Sequence, residues 1–182
     1  MQQEQLTILL IQCRTKNEVA FRKLVEVYQA MVFAYAYRLL CNADDAEDIV
    51  QETFLRVWKH VNNYKLEMNF KTWLFKIVTN LCYDRLRFNK RKRIAQKTSI
   101  DALMHFQSNE NIETEFINSE LATIINTLTN ELTPKQKLVF TLRDIEGFEV
   151  NEIEEITKLS SGKIKSNLYL ARQFIRMKLE QL

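Results

Sequence analysis

The densest group of like charges in this 182-residue sequence lies in its middle third. No acidic residue occurs between Asp84 and Asp101, and the basic residues in that interval are Arg85, Arg87, Lys90, Arg91, Lys92, Arg93 and Lys97. A solvated helix face usually interleaves glutamate with such cations. A nucleic-acid phosphate backbone would be a suitable partner, with an affinity that falls as the salt concentration rises.

Aromatic residues lie just upstream of this basic run, at Tyr64, Phe70, Trp73 and Phe75. Aromatic faces beside basic side chains suit single-stranded nucleic acid, because unpaired bases stack on them. The alternative for Phe70, Trp73 and Phe75 is packing in a hydrophobic core. Trp73 also fits the inward-facing stripe of its helix. The sequence leaves both interpretations open at these positions.

The last two predicted helices have the spacing of a helix-turn-helix. Leu159 and Ser160 form the turn, with Ser160 placed to cap the second helix. The residues that pack the two helices together are Ile153, Ile156, Leu159, Ile164 and Leu168. The outer face of the second helix offers Ser161, Lys163, Lys165, Ser166, Asn167 and Arg172. Such a face suits DNA phosphates and base edges, and the N–H groups at Ser161 and Gly162 favour a phosphate, although a solvated helical hairpin would show the same pattern.

An acidic stretch opens the third predicted helix, from Asp44 to Glu52. Asp48 and Glu52 are four residues apart, so they share one helix face with Gln51 beside them. Such a face suits the basic residues of a protein partner. Paired carboxylates also serve acid–base catalysis and metal binding, but no histidine, cysteine or nucleophile accompanies these two. We therefore expect no catalytic site, no metal and no cofactor.

Composition excludes several classes of protein. With two glycines and one proline, the chain cannot build the glycine-rich loop of a nucleotide-binding fold or the many turns of a sheet-rich one. The three cysteines form no CxxC pair and the two histidines lie far apart, which argues against zinc and disulfides. There is no signal-peptide pattern and no apolar run of about 18 residues. We expect an all-α protein of the cytoplasm, with a formal net charge of +3.

Hydrophobic periodicity predicts two small helical domains joined by a linker. Helices are expected at about 3–13, 17–41, 42–61, 70–89, 121–128, 133–146, 150–158 and 161–182. Asn42 is placed to cap the third helix, Thr133 and Pro134 open the sixth, and Gly147 ends it. The expected boundaries are 1–97 for the first domain, 98–115 for the polar linker and 116–182 for the helix-turn-helix domain.

The acidic helix, the basic helix and the helix-turn-helix, in this order, resemble a known family. The stretches that carry the resemblance are DDAEDIVQETFLRVW at 44–58, FKTWLFKIVTNL at 70–81, DRLR at 84–87, LTP at 132–134, and GKIKSNL at 162–168 with Ala171 and Arg172. The sequence is similar to the bacterial RNA polymerase sigma factors of the small extracytoplasmic-function (ECF) type. The similarity covers nearly the whole chain except the first helix and the linker.

The resemblance implies that the first domain binds both polymerase and DNA. Asp48, Gln51 and Glu52 would dock on the clamp helices of the largest subunit of core RNA polymerase. The loop 62–69 and the helix after it would recognise and open the −10 promoter element, with a flipped base held by the loop. The residues assigned to that DNA are Asn62, Asn63, Tyr64, Phe70, Trp73, Asn80, Asp84, Arg85, Arg87, Lys90 and Arg91.

The same resemblance assigns the second domain to the −35 element. The helix-turn-helix would bind it through Ser161, Lys163, Lys165, Ser166, Asn167 and Arg172, and would touch the flap of the second-largest polymerase subunit. The linker would thread the RNA exit path. The resemblance further implies an anti-sigma protein that restrains the chain, no insertion of the chain itself into a membrane, and no enzymatic activity.

Some positions depart from the family pattern. Glu154 stands where alanine is frequent and Lys158 where glycine is frequent, while Asn167 and Leu170 replace common arginines. We expect fewer or different contacts to the −35 element as a result. Two other functions fit the residues: a free-standing helix-turn-helix regulator with an oligomerisation domain, and a helical interaction protein such as an anti-sigma-like adaptor. Capture of core polymerase excludes the first, and salt-sensitive promoter binding argues against the second.

Overall fold

The computed structural model describes residues 3–97, 124 and 127–181, and of residues 3, 90 and 92–97 it describes the backbone only. The helices are α1 (Gln3–Arg14), α2 (Glu18–Leu40), α3 (Ala43–His60), α4 (Phe70–Lys97), α5 (Pro134–Phe140), α6 (Val150–Thr157) and α7 (Ser161–Leu179). A 3₁₀ turn, Val61–Asn63, follows α3, and a π-helical turn, Thr141–Ile145, continues α5. Within the described ranges no strand occurs, which confirms the all-α expectation.

Local capping interactions mark where α2 begins and ends and where α3 begins. The Asn17 side chain accepts the Ala20 N–H at 3.0 Å and begins α2. Cys41 takes a left-handed conformation with φ 52° and ends that helix. The Asn42 side chain then accepts the Asp45 N–H at 2.7 Å, so its predicted role as the cap of α3 is confirmed.

Apolar faces of α2, α3 and α4 form the core of the first domain, and α1 packs on α2. Tyr35 lies at its centre and is fully buried. Its hydroxyl shares a hydrogen bond of 2.7 Å with the Thr79 hydroxyl, which joins α2 to α4. Burial raises the pKa of Tyr35 well above its ordinary value. The core residues of α2 to α4 include Leu24, Val32, Ile49, Phe54, Val57, Leu74, Phe75 and Val78.

The second domain packs α5, α6 and α7 around a smaller core. Its buried residues include Leu138, Val139, Leu142, Ile153, Ile156, Ile164, Leu168 and Ile175. Thr133 precedes Pro134 as the cap of α5, and the Thr133 N–H donates to the Gln136 side chain at 3.1 Å. The prediction that Gly147 ends this helix is confirmed, because Gly147 has a φ of +76°, in the left-handed region that favours glycine.

Some of the predicted bounds differ from those of the structure. The α4 helix reaches Lys97 rather than 89, because the basic residues after Asn89 are good helix formers and no breaker interrupts them. The sixth predicted helix is α-helical only to Phe140 and then becomes the π-helical turn. The linker 98–115 lies outside the described residues, and of the helix expected at 121–128 only residues 124, 127 and 128 are described. The three domain boundaries stay predictions.

The two domains are in contact, chiefly through α4 and α6. The Phe75 and Phe148 rings meet with their centroids 4.9 Å apart. Beside them the carboxylate of Glu146 accepts from Arg38 at 3.0 Å and lies 3.7 Å from the Lys71 ammonium. Burial raises the pKa of Glu146, against the lowering effect of these two cations. The interface thus combines an aromatic contact with a partly buried ion-pair cluster.

Candidate functional site

The outward face of α3 carries the residues predicted to dock on polymerase. Asp48 and Gln51 are exposed, and Glu52 is half-buried because its carboxylate accepts from Arg56, four residues later, at 2.9 Å. Leu55 continues this face one turn further and its side chain is 53% exposed. Sequence analysis missed Leu55, although its position seven residues after Asp48 places it on the same face. The result is an exposed surface with an acidic start and an apolar end.

The acidic start of α3 is tied to the basic end of α4. Arg85 donates to Asp45 at 2.5 Å and to Asp48 at 3.1 Å, and the Asn89 amide donates to Asp45 at 3.1 Å. The predicted polymerase-docking residue Asp48 and the predicted DNA-contacting residue Arg85 are therefore partners of one another. This link joins α4 to the first two turns of α3.

The loop between α3 and α4 forms an open cavity of about 550 Å³. It is lined by Arg14, Asn62, Asn63, Tyr64, Lys65, Leu66 and Glu67. Arg14 reaches across from the end of α1 and donates to the carbonyl of Tyr64, while the Tyr64 hydroxyl donates to the carbonyl of Met68. Sequence analysis did not find Arg14, because 50 positions separate it from the loop. The cavity is where the resemblance expects a flipped base.

The aromatic residues next to this cavity form a cluster rather than a free row. Tyr64, Phe70 and Trp73 lie with ring centroids between 5.1 and 5.8 Å apart. Tyr64 and Phe70 are buried, and Phe75 is buried in contact with Tyr35 and Phe148, whereas Trp73 keeps part of its surface exposed. Core packing is thus the role of Phe70 and Phe75 in this arrangement. Trp73 is the member of the cluster with a surface for a base.

Further along α4, the polar residues assigned to DNA point outward. Asn80, Asp84, Arg87 and Arg91 are exposed. Phe88, which sequence analysis did not select, is 62% exposed beside them. The side chain of Lys90 lies outside the described residues. An exposed aromatic ring beside exposed arginines is suited to nucleic-acid bases and phosphates.

The helix-turn-helix consists of α6, the residues 158–160 and α7. Lys158 ends α6 in a left-handed conformation with φ 61°. Ser160 occupies the cap position as predicted, but its side chain makes no capping hydrogen bond. Glu154 takes the role, because its carboxylate accepts the Ser161 N–H at 2.5 Å. Among the residues assigned to DNA, Lys163, Lys165 and Ser166 are exposed on α7, and Ser161 is half-buried.

Two other residues of α7 assigned to DNA are engaged within the domain. The amide of Asn167 donates to the carbonyl of Lys163 at 2.7 Å. Arg172 donates to both carboxylate oxygens of Asp144, at 2.9 and 2.5 Å, while its side chain stays 54% exposed. The ion pair fixes the guanidinium on the same face as Lys165, seven residues earlier. Arg172 is therefore held on the face assigned to DNA, whereas the Asn167 amide is hydrogen-bonded to its own helix.

No group of three or more histidine, cysteine or acidic side chains in the described part of the chain is placed to hold a metal ion. No helix there is both long and apolar enough to cross a membrane.

Comparison with known families gives two matches along the chain. The family "Sigma-70 region 2" matches residues 24–92, which contain α3, the loop 62–69 and most of α4. The family "Sigma-70, region 4" matches residues 122–175, which contain the helix-turn-helix. Both surfaces described above therefore fall inside matched segments.

Relatives match over nearly their whole length. The chain is 28% identical to the ECF RNA polymerase sigma factor SigW of Bacillus subtilis, over 94% of this chain and 95% of that protein. It is 29% identical to the ECF RNA polymerase sigma-E factor of Haemophilus influenzae, over 98% of each. Among solved structures, the fold is similar to the sigma factor RpoE of Bartonella quintana in complex with the anti-sigma factor NepR, with a TM-score of 0.69, 23% identity, and 88% and 96% of the two chains covered.

Proposed function

Because the chain belongs to the ECF sigma factors of bacterial RNA polymerase, we propose that its two helical domains divide promoter recognition between them. As a member of this family it is not an enzyme: it binds core RNA polymerase and directs transcription initiation by recognising the −10 and −35 elements. The observation that carries this function is the order of the two matches, region 2 and then region 4, on one chain.

The first domain opens the −10 element by capturing unpaired bases. The cavity beside Tyr64 accepts one base turned out of the stack, and Trp73 and Phe88 offer surfaces to others. Each stacked base contributes about 1–3 kcal/mol, which is comparable to the cost of unstacking one step of the duplex. No chemical step is needed, because melting requires only that unpaired bases bind better than paired ones.

The exposed face of α3 docks on the clamp helices of the largest polymerase subunit. Asp48 and Glu52 supply negative charge, Gln51 supplies hydrogen bonds, and Leu55 adds apolar area that becomes buried. Their intramolecular partners, Arg85 and Arg56, hold the two carboxylates in place before docking. This arrangement keeps the docking face and the DNA-binding end of α4 on one rigid unit.

The second domain places α7 in the major groove of the −35 element. Lys163, Lys165 and Ser166 reach phosphates and base edges from the first two turns, and Arg172 follows on the same face. Asn167 is withdrawn from this surface by its bond to the Lys163 carbonyl. The end of the domain also contacts the flap of the second-largest subunit.

The two promoter elements are too far apart for the closed arrangement of the domains. Their positions differ by about 25 base pairs, which is about 85 Å of duplex at about 3.4 Å per pair. A folded chain of this length has a radius of gyration of about 16 Å. The contacts of Phe148 and Glu146 with the first domain therefore separate when both domains bind one promoter. Domains that meet through a partly polar interface of this kind commonly move relative to one another.

Where the protein acts follows from these partners. Core polymerase and promoter DNA place its action in the cytoplasm. An anti-sigma protein is a further partner, since a structural relative, RpoE of Bartonella quintana, was solved with one bound.

Reconstitution tests this function. Purified chain is mixed with bacterial core RNA polymerase and supplied with a library of duplex templates whose upstream region is randomised. We expect run-off transcripts from a selected subset that shares two short elements, and none from core enzyme alone. Failure of the chain to bind core polymerase, or transcripts with no shared elements, would contradict the proposal.

A further inference from the structure

The start of α7 is capped in an unexpected way. The first N–H groups of a helix have no partner within the helix, and a serine at the preceding position usually supplies one. Ser160 does not do so here. Instead the carboxylate of Glu154 reaches back from α6 and accepts the Ser161 N–H at 2.5 Å. One side chain therefore holds the two helices of the motif at their junction.

The charge of Glu154 is not paired with a cation. In the part of the chain that the structure describes, Glu154 forms no salt bridge, although Arg143, Arg172 and Lys178 of the same domain all do. The first turn of α7 contains no acidic residue of its own. The positive end of the helix dipole thus stabilises a carboxylate that the neighbouring helix supplies.

This carboxylate lies where the DNA backbone would approach. A recognition helix enters the major groove with its N-terminal residues, and free N–H groups at a helix start bind phosphate. Lys163 and Lys165, the exposed cations of α7, follow Ser161 by two and four residues. Glu154 occupies the Ser161 donor and also sets a negative charge beside the path of a phosphate. Both effects oppose DNA binding.

We propose that Glu154 sets the affinity for the upstream promoter element. It fixes the junction of α6 and α7, and it lowers the affinity of α7 for duplex DNA. This inference rests on the proposed function of α7. Binding to the −35 element then depends on the polymerase, which holds the domain against the DNA. The free chain is thereby kept from occupying upstream elements on its own.

The test compares three variants in reconstituted holoenzyme. Glu154→Gln keeps an oxygen that can accept the Ser161 N–H and removes the charge, whereas Glu154→Ala removes both. Glu180→Gln is the matched control, since it removes the same charge from an exposed residue at the other end of α7. The probe is a labelled duplex that carries the upstream element selected by the wild-type holoenzyme from the randomised library.

We expect Glu154→Gln to tighten duplex binding about fivefold at low salt, the effect of one unit charge about 4 Å from another in water. The gain should shrink as salt rises. Glu154→Ala should also bind more tightly but melt at a lower temperature than Glu154→Gln, which loses only the interaction of the charge with the helix dipole. Equal affinities of Glu154→Gln and wild type at every salt concentration, or an equal gain from Glu180→Gln, would overturn the inference. A wild-type holoenzyme that selects no promoter contradicts the proposed function itself.

Discussion

The two surfaces assigned to promoter DNA differ in what their basic side chains contact. At the end of α4, Arg85 is bound by the carboxylates of Asp45 and Asp48. At the start of α7, the exposed Lys163 and Lys165 have no salt bridge within the described residues, and the negative group nearby is a helix cap. One arginine of the first surface is therefore held by acidic residues of its own domain, whereas the two lysines at the start of the second have no such partner in the described part of the chain.

The two surfaces therefore suit different forms of DNA. The first offers a cavity and aromatic faces, which suit bases that have left the duplex. The second offers cations on a helix, which suit the phosphates of an intact duplex. Salt should therefore weaken duplex binding by the second surface, and substitutions on the two surfaces should affect separate steps of initiation.

The largest effect should come from Arg14. Its guanidinium holds the carbonyl of Tyr64 and one wall of the cavity, and a hydrogen bond from a charged donor contributes about 1.5–3 kcal/mol. We expect Arg14→Ala to slow promoter opening by about tenfold to a hundredfold. The rate is measured from the fluorescence of 2-aminopurine placed in the −10 element.

The control for this variant is Arg22→Ala, which removes an exposed arginine from α2. It should open promoters at the wild-type rate. Normal opening by Arg14→Ala would show that the cavity does not capture a base. The first surface would then not differ from the second by binding unpaired bases in a cavity.

The second effect concerns α3 and asks whether polymerase docking is separate from both DNA surfaces. Removing the exposed side chain of Leu55 deletes apolar area that docking buries, so Leu55→Ala should lower core polymerase affinity about tenfold. Gln51→Ala and Glu52→Ala should lower it less. Competition with a labelled sigma subunit for core enzyme measures all three, and Val19→Ala, exposed on α2, is the control. Unchanged affinity in Leu55→Ala and Gln51→Ala would remove the docking face from α3.

A smaller effect is expected from Lys165 and Arg172. Either alanine variant should weaken duplex binding by the holoenzyme about fivefold at low salt, and Lys165→Ala should reduce the slope of log affinity against log salt by about 0.9. Lys135→Ala, exposed on α5, removes the same charge as a control. The measurement is fluorescence anisotropy from about 0.05 to about 0.3 M salt. A salt slope equal to the wild type would mean that Lys165 does not face phosphate.

The smallest effect concerns the contact between the domains. Burial raises the pKa of Glu146 although Lys71 and Arg38 lower it, so the carboxylate is easier to protonate when the domains are closed. A raised acid pKa stabilises the closed form below the ordinary pKa of 4.5, and this contribution is lost as pH rises through the raised value. The difference in melting temperature between wild type and Glu146→Gln should therefore change over that interval and be constant above it. A constant difference throughout would show that the Glu146 carboxyl does not titrate at the interface.

Much of the fold could be predicted from the sequence because its signals are local. Asn42 caps α3, Thr133 and Pro134 begin α5, and Gly147 ends the helix that follows, each by interactions within a few residues. The length of α4 was missed because nothing local marks its end. Ser160 lies at the predicted cap position, but its side chain makes no capping bond, and the Ser161 N–H is accepted by a carboxylate seven residues earlier in the chain, that of Glu154.

The sites were less accessible to sequence reasoning, because they are assembled from distant parts of the chain. Arg14 and Tyr64 meet only after α1 packs beside the loop. Arg85 is predicted from the sequence to contact DNA, but its carboxylate partners lie 37 and 40 positions earlier, so its ion pairs are not visible in the local sequence. Phe70 and Trp73 have the same residue class and neighbourhood, and only the three-dimensional packing buries one and leaves the other partly exposed.

The division of recognition between the two domains is tested most directly by crossing two variants with two probes. Reconstituted holoenzyme carrying Arg14→Ala or Lys165→Ala is titrated with a single strand of the selected −10 element and with a duplex of the selected −35 element. We expect Arg14→Ala to lose affinity for the single strand alone, and Lys165→Ala for the duplex alone. Loss of both probes to the same extent in either variant would contradict it.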